Sequence, residues 1–123
     1  MAVTSLASQI TDFTATAKTA VLPTQNRQTA SYTLVLGDAN GFVEMNVGSA
    51  NNLTVPPNAD VAFPLKTQIL ISNYGAGQTS IVAGSGVTIR SAGGALKLSV
   101  QYSMATLIQI SANEWILVGN LTT

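Results

Sequence analysis

The sequence predicts an all-β fold, an antiparallel β-sandwich or jelly-roll-like domain that follows an N-terminal arm or short helix. Short runs of β-branched and aromatic residues begin at Tyr32 and recur with turn-forming residues between them. Within several runs apolar and polar residues alternate, as in a strand with one buried face. The 123 residues have the length of one domain. We therefore divide the chain into an arm, residues 1–31, and a β-domain, residues 32–123.

Ten candidate strands follow from this pattern, and glycine, proline, asparagine or serine separates them. They cover residues 32–36, 42–46, 52–55, 61–63, 67–73, 79–83, 87–91, 95–100, 104–110 and 114–118. The alternation is clearest at Ile81 and Ala83, and again at Leu96, Leu98 and Val100. No repeat of fixed period is evident, so a solenoid is not predicted.

The arm carries a helical pattern instead. Leu6, Ile10 and Phe13, followed by two alanines, recur at spacings of three and four residues, which places them on one stripe of a helix. Pro23 would end this helix, and several threonines lower its propensity. So short a helix is marginal alone and cannot cover its own apolar stripe. We therefore expect Leu6, Ile10 and Phe13 to contact another protein subunit.

The composition excludes several classes of function. The chain has no cysteine and no histidine, which removes disulfides, thiolate chemistry, the commonest general base and the commonest transition-metal ligand. Charged residues make up 8% of the chain, against roughly 25% in ordinary domains. With a net charge of zero, no basic surface for nucleic acid is expected. We predict that the protein is not an enzyme and needs no cofactor or metal.

Two further patterns are interpreted as unremarkable. No run of apolar residues approaches the roughly 18 that a membrane helix needs, and the N-terminus lacks the features of a secretory signal, so neither membrane insertion nor export is expected. The glycine-rich segments 75–77 and 84–86 precede no helical pattern and lack the lysine of a phosphate-binding loop. We interpret both segments as hairpin turns.

Two residues of the β-domain are candidates for contacts between subunits. Trp115 follows a three-residue turn and either packs in the core or anchors a subunit interface, and the core is favoured. Arg90 has the opposite strand parity to Val87 and Ile89, so it faces away from their side. It either guards an exposed sheet edge or forms an interfacial ion pair, and the low charge of the chain favours the ion pair.

A set of segments resembles a domain that recurs in tailed-bacteriophage structural proteins, including head decoration proteins and the distal parts of tail fibres. The set comprises Val55-Pro56-Pro57-Asn58, Ala62-Phe63-Pro64, Tyr74-Gly75-Ala76-Gly77-Gln78-Thr79, Gly86-Val87-Thr88-Ile89-Arg90-Ser91 and Asn113-Glu114-Trp115. Residues 8–18 are similar to linkers that precede such domains. The resemblance covers most of the chain. It implies a β-sandwich or jelly-roll-like module without catalytic residues, usually a homotrimer.

The same resemblance implies a virion protein made in the host bacterial cytoplasm. The leading expectation is a capsid decoration, or cement, protein: a trimer on the capsid surface that binds the major capsid protein. The alternative is a tail-fibre tip whose Asn73, Tyr74 and Gln78 touch a cell-surface glycan. The chain is short for a fibre, which favours the decoration protein. A third hypothesis, a small polysaccharide-degrading enzyme, requires paired carboxylates in a groove.

Overall fold

The computed structural model describes residues 25–123, which form two packed β-sheets. The predicted helix and its residues Leu6, Ile10 and Phe13 lie outside the described residues. Strand pairing begins at Gln25, inside the segment that the sequence assigned to the arm. The β-domain therefore includes at least seven residues more than the sequence pattern indicated.

The described residues contain eleven strands and two short 3₁₀ helices, Leu36–Asp38 and Ala92–Gly94. The strands are β1 (Gln25–Gln28), β2 (Tyr32–Thr33), β3 (Phe42–Met45), β4 (Asn51–Val55), β5 (Gln68–Ser72), β6 (Thr79–Ala83), β7 (Thr88–Ser91), β8 (Lys97–Leu98), β9 (Met104–Ser111), β10 (Glu114–Gly119) and β11 (Leu121–Thr122). All predicted strands except 61–63 overlap one of these. The alternating pattern therefore located the strands well.

From β1 to β6 the chain winds as a coil between the two sheets. The strands β1, β3 and β5 lie side by side and parallel in one sheet, and β2, β4 and β6 do the same in the other. Val43 pairs with Ile71 and Leu53 pairs with Ile81, so both sheets advance by 28 residues in this turn of the coil. This repeat of 28 residues is not evident in the sequence, because its two copies share little more than their buried apolar residues.

The remaining strands close the two sheets with mostly antiparallel pairs. In the six-stranded sheet, β9 runs antiparallel to β5 and to β10, and β7 adds a parallel edge, giving the order β1-β3-β5-β9-β10-β7. The five-stranded sheet has the order β11-β8-β6-β4-β2. The all-β class is confirmed. Both sheets are mixed, however, so an antiparallel sandwich or jelly roll is not confirmed.

The connections explain this difference. A hairpin returns the chain to the same sheet in the opposite direction, whereas a parallel neighbour requires a longer crossover. Here the segments after β3, β4, β5 and β6 each carry the chain into the other sheet. The glycine-rich segments 75–77 and 84–86 are two such crossovers and not hairpins. An alternating strand has one buried face in either case, so alternation alone does not distinguish the two arrangements.

The core lies between the two sheets. Its fully buried members are Leu34, Val43, Met45, Leu53, Val55, Ile69, Ile71, Leu98, Leu107, Trp115 and Leu117. The Trp115 side chain is 1% exposed, and its ring packs edge-on against Phe63 with a centroid separation of 5.5 Å. Trp115 therefore packs in the core, the role that the sequence favoured.

Successive turns of the coil approach each other closely where β5 leads into β6. The backbone N–H of Gly75 donates to the carbonyl of Met45, and that of Gly77 to the carbonyl of Val47, both at 2.9 Å. A Cβ atom at Gly75 would overlap the backbone of Val47, and one at Gly77 the backbone of Ser49. Glycine is therefore required at both positions because no side chain fits between the turns.

We expect Gly77→Ala to lower the free energy of unfolding by about 1–3 kcal/mol or more, because the added methyl group forces the stacked turns apart. Gly37→Ala is the matched control, since a Cβ atom there meets nothing within 4 Å. Urea denaturation of both variants measures the difference. Equal unfolding midpoints would contradict the stacking argument.

Candidate functional site

A fully buried polar side chain, that of Asn73, is used by the fold. Asn73 is 1% exposed, and its amide nitrogen donates to the carbonyls of Gly75 and Gly77 at 3.0 Å each. Its amide oxygen accepts the backbone N–H of Thr79 at 2.7 Å. Asn73 therefore holds the stacked turn and is inaccessible to a glycan. Of the three residues named for that role, Tyr74 and Gln78 are exposed.

Asp38 is also buried and structural. Its carboxylate accepts hydrogen bonds from the Tyr32 hydroxyl at 2.8 Å, the Asn26 amide at 2.8 Å and the Val35 backbone N–H at 2.9 Å. These contacts join β1, β2 and the first 3₁₀ helix. Burial raises the pKa of Tyr32 to about 12, and the hydrogen bond to Asp38 acts in the same direction.

Two other carboxylates form ion pairs on the six-stranded sheet. Glu44 of β3 binds Arg27 of β1, and Glu114 of β10 binds Arg90 of β7, with N–O distances of 2.6 Å in both pairs. The hydrogen bond from Arg90 lowers the pKa of Glu114, and one from Ser111 adds to it. The strands β5 and β9 separate the two pairs. Glu44 and Glu114 therefore do not form the paired carboxylates that a glycosidase requires.

No group of three metal-ligating side chains is found in residues 25–123. The same part of the chain holds no helix that is long and apolar enough to cross a membrane.

The outer face of the six-stranded sheet is apolar along its centre. Its apolar side chains are Phe42, Leu70, Met104, Ile108, Ile110, Ile116 and Val118, and we call this surface the apolar face. These side chains have the opposite strand parity to the core residues. Leu70, Met104, Ile110 and Val118 are 37–48% exposed. The same face also carries the polar side chains of Gln68, Ser72, Thr106 and Glu114, so it is apolar in part.

The outer face of the five-stranded sheet is different. It carries Thr33, Asn52, Thr54, Ser80, Val82, Lys97 and Thr122, of which all but Val82 are polar. Burying hydroxyl, amide and ammonium groups without hydrogen-bond partners costs free energy, so this face is expected to stay exposed to solvent. The contrast between the two outer faces singles out the apolar face as the candidate binding surface.

The two ion pairs border the apolar face on opposite sides. Arg27 lies on the edge strand β1, and Arg90 on the edge strand β7. The Arg90 side chain is 62% exposed, so it occupies the sheet edge that the sequence offered as one alternative. Its ion pair is with Glu114 of the same chain, whereas the favoured alternative placed the pair across an interface.

A groove of about 480 Å³ adjoins the apolar face at β7 and β10. Arg90, Ile116 and Val118 line the groove and belong to the same sheet face, so the two surfaces are continuous. Ser91 lies deeper in the groove, and its hydroxyl oxygen is buried without a hydrogen-bond partner in residues 25–123. Buried hydroxyl groups in folded proteins almost always have a partner.

A second exposed feature is formed by Tyr74 and Tyr102, which we call the tyrosine pair. The rings of Tyr74 and Tyr102 pack edge-on with centroids 5.7 Å apart, and the Arg27 guanidinium lies 4.3 Å from the centre of the Tyr74 ring. Tyr102 is 66% exposed. Because the ring is mostly in solvent, its burial contributes little to the stability of the fold.

The backbone of Tyr102 is strained. Its φ is +69°, at the third position of a turn that the N–H of Ser103 closes on the carbonyl of Val100 at 3.1 Å. Glycine or asparagine normally occupies such a position, because a left-handed conformation brings Cβ close to the following carbonyl. An exposed, strained aromatic residue is typical of a functional surface more than of a scaffold.

Comparisons of the chain with protein-family models, with curated protein sequences and with solved structures found no match.

The sequence contained a signal for the apolar face that the search for alternation passed over. Residues 69–71, 107–108 and 115–118 are consecutively apolar, and the strands that contain them are the central strands β5, β9 and β10. Continuous apolar runs are typical of strands that are covered on both sides. Of the two candidates in the β-domain, Arg90 borders the face and Trp115 lies beneath it in the core.

We expect Tyr32→Phe to change how stability depends on pH. The Tyr32 pKa is about 12 in the folded protein and about 10 in the unfolded chain, so its contribution is complete below pH 10 and is lost as the pH rises through 12. Thermal midpoints between pH 9 and 12 should therefore fall more steeply for the wild type than for the variant. Tyr102→Phe, at an exposed ring, should leave the wild-type slope unchanged.

We expect Tyr102→Gly to raise the thermal midpoint by a few degrees, because glycine relieves a backbone strain of about 1–2 kcal/mol. The entropy that glycine adds to the unfolded chain offsets part of this gain. Tyr102→Ala removes the same ring and keeps the strain, so calorimetry should show no stabilisation. If both variants have the same midpoint, the backbone of Tyr102 does not destabilise the protein.

Proposed function

We propose that this protein is a bacteriophage capsid decoration, or cement, protein, a homotrimer that binds the major capsid protein and stabilises the head shell without catalysis. The observation that carries the proposal is the apolar face beside a polar opposite sheet. Neighbouring exposed apolar side chains, here Leu70, Met104, Ile110 and Val118, are typical of an interaction site when polar residues surround them. A protein that works by binding other subunits requires such a surface.

The phage resemblance supports the proposal because its segments meet in the structure. Asn113 accepts the backbone N–H of Asn58 on its side chain at 2.7 Å and that of Thr88 on its carbonyl at 2.8 Å. Phe63 packs on Trp115. Four of the five segments are therefore joined through Asn113 and Trp115. These segments are therefore held together in one region of the fold.

Shell stabilisation follows from mass action. A protein that binds the assembled lattice and not its separated subunits shifts the equilibrium toward the assembled shell, by RT ln(1 + [L]/Kd) per site. The β-domain suits this role because its stacked turns make a rigid unit. The segment before Gln25 contains Leu6, Ile10 and Phe13, whose spacing predicts an apolar stripe, and we assign to it the contact with the coat subunits.

The tyrosine pair favours one other candidate, a tail-fibre tip that binds a receptor. An exposed aromatic ring offers a surface for the apolar side of a sugar, and the Arg27 guanidinium and the Gln101 side chain lie beside it. The number of copies per virion separates the two functions. A decoration protein is expected in hundreds of copies and a fibre tip in a few, which quantitative mass spectrometry of purified virions measures.

The direct test removes residues 1–24 and adds the truncated protein to undecorated heads. The cut belongs before Gln25, since removing Arg27 would also break its ion pair with Glu44. We expect the truncated protein to keep its β-sheet circular dichroism spectrum and to lose most of its occupancy on the heads. Undiminished occupancy would show that residues 1–24 are not the anchor.

A matched pair of full-length variants separates side-chain contacts from chain length. Replacing Leu6, Ile10 and Phe13 by serine should reduce occupancy as much as the truncation does. Replacing Thr14, Thr16 and Thr19 by serine changes the same number of residues and should leave occupancy at the wild-type level. Equal occupancy of both variants would exclude the apolar stripe as the shell contact.

A further inference from the structure

We draw no further inference here: the strongest candidate, the exposed tyrosine pair with the Arg27 guanidinium beside it, belongs to the receptor-binding site already described, and nothing in the structure shows what covers the apolar face or its groove.

Discussion

The close stacking of the segment after β5 on the segment after β3 is the constraint on which the rest of the structure depends. Gly75 and Gly77 donate backbone hydrogen bonds to Met45 and Val47, and the buried amide of Asn73 holds both glycine carbonyls. This contact sets the spacing between successive turns of the coil. It thereby sets the parallel register of β3 on β5 and of β4 on β6, since a slip of one residue would exchange buried and exposed side chains.

The same register decides which surface is left for binding. The core takes Ile69, Ile71, Leu107 and Leu117 from the central strands, and several alternate residues of those strands, among them Leu70, Ile108 and Ile116, are also apolar. Exposed sheet edges are prone to unspecific pairing with other strands, and charged side chains on the edge discourage it. The edge strands β1 and β7 each carry an arginine in an ion pair. The core and the apolar face thus depend on the same three strands, β5, β9 and β10.

Two residues with a positive φ, Asn113 and Tyr102, have different roles in the structure. Asn113 has a positive φ and uses its side chain and carbonyl to join neighbouring segments, so its conformation serves the fold. Tyr102 has a similar φ and leaves its ring in solvent against Tyr74. The backbone N–H of Tyr102 donates to the Asn73 carbonyl at 2.7 Å, but its exposed ring is not needed for that contact, so the tyrosine pair carries the alternative function. The apolar face carries the leading one.

Sequence alone determined the class of the fold, the positions of nearly all the strands and the core role of Trp115. These features depend on local pattern, because alternation and turn residues act within a few positions of each other. The parallel coil, the ion pair of Arg90 with Glu114 and the apolar face were decided by tertiary structure. Each depends on which strands become neighbours, and residues 28 apart pair only because the stacked turns bring them together. An alternating strand is compatible with either direction of its neighbour, so the decisive information lay in the backbone contact at Gly75 and Gly77.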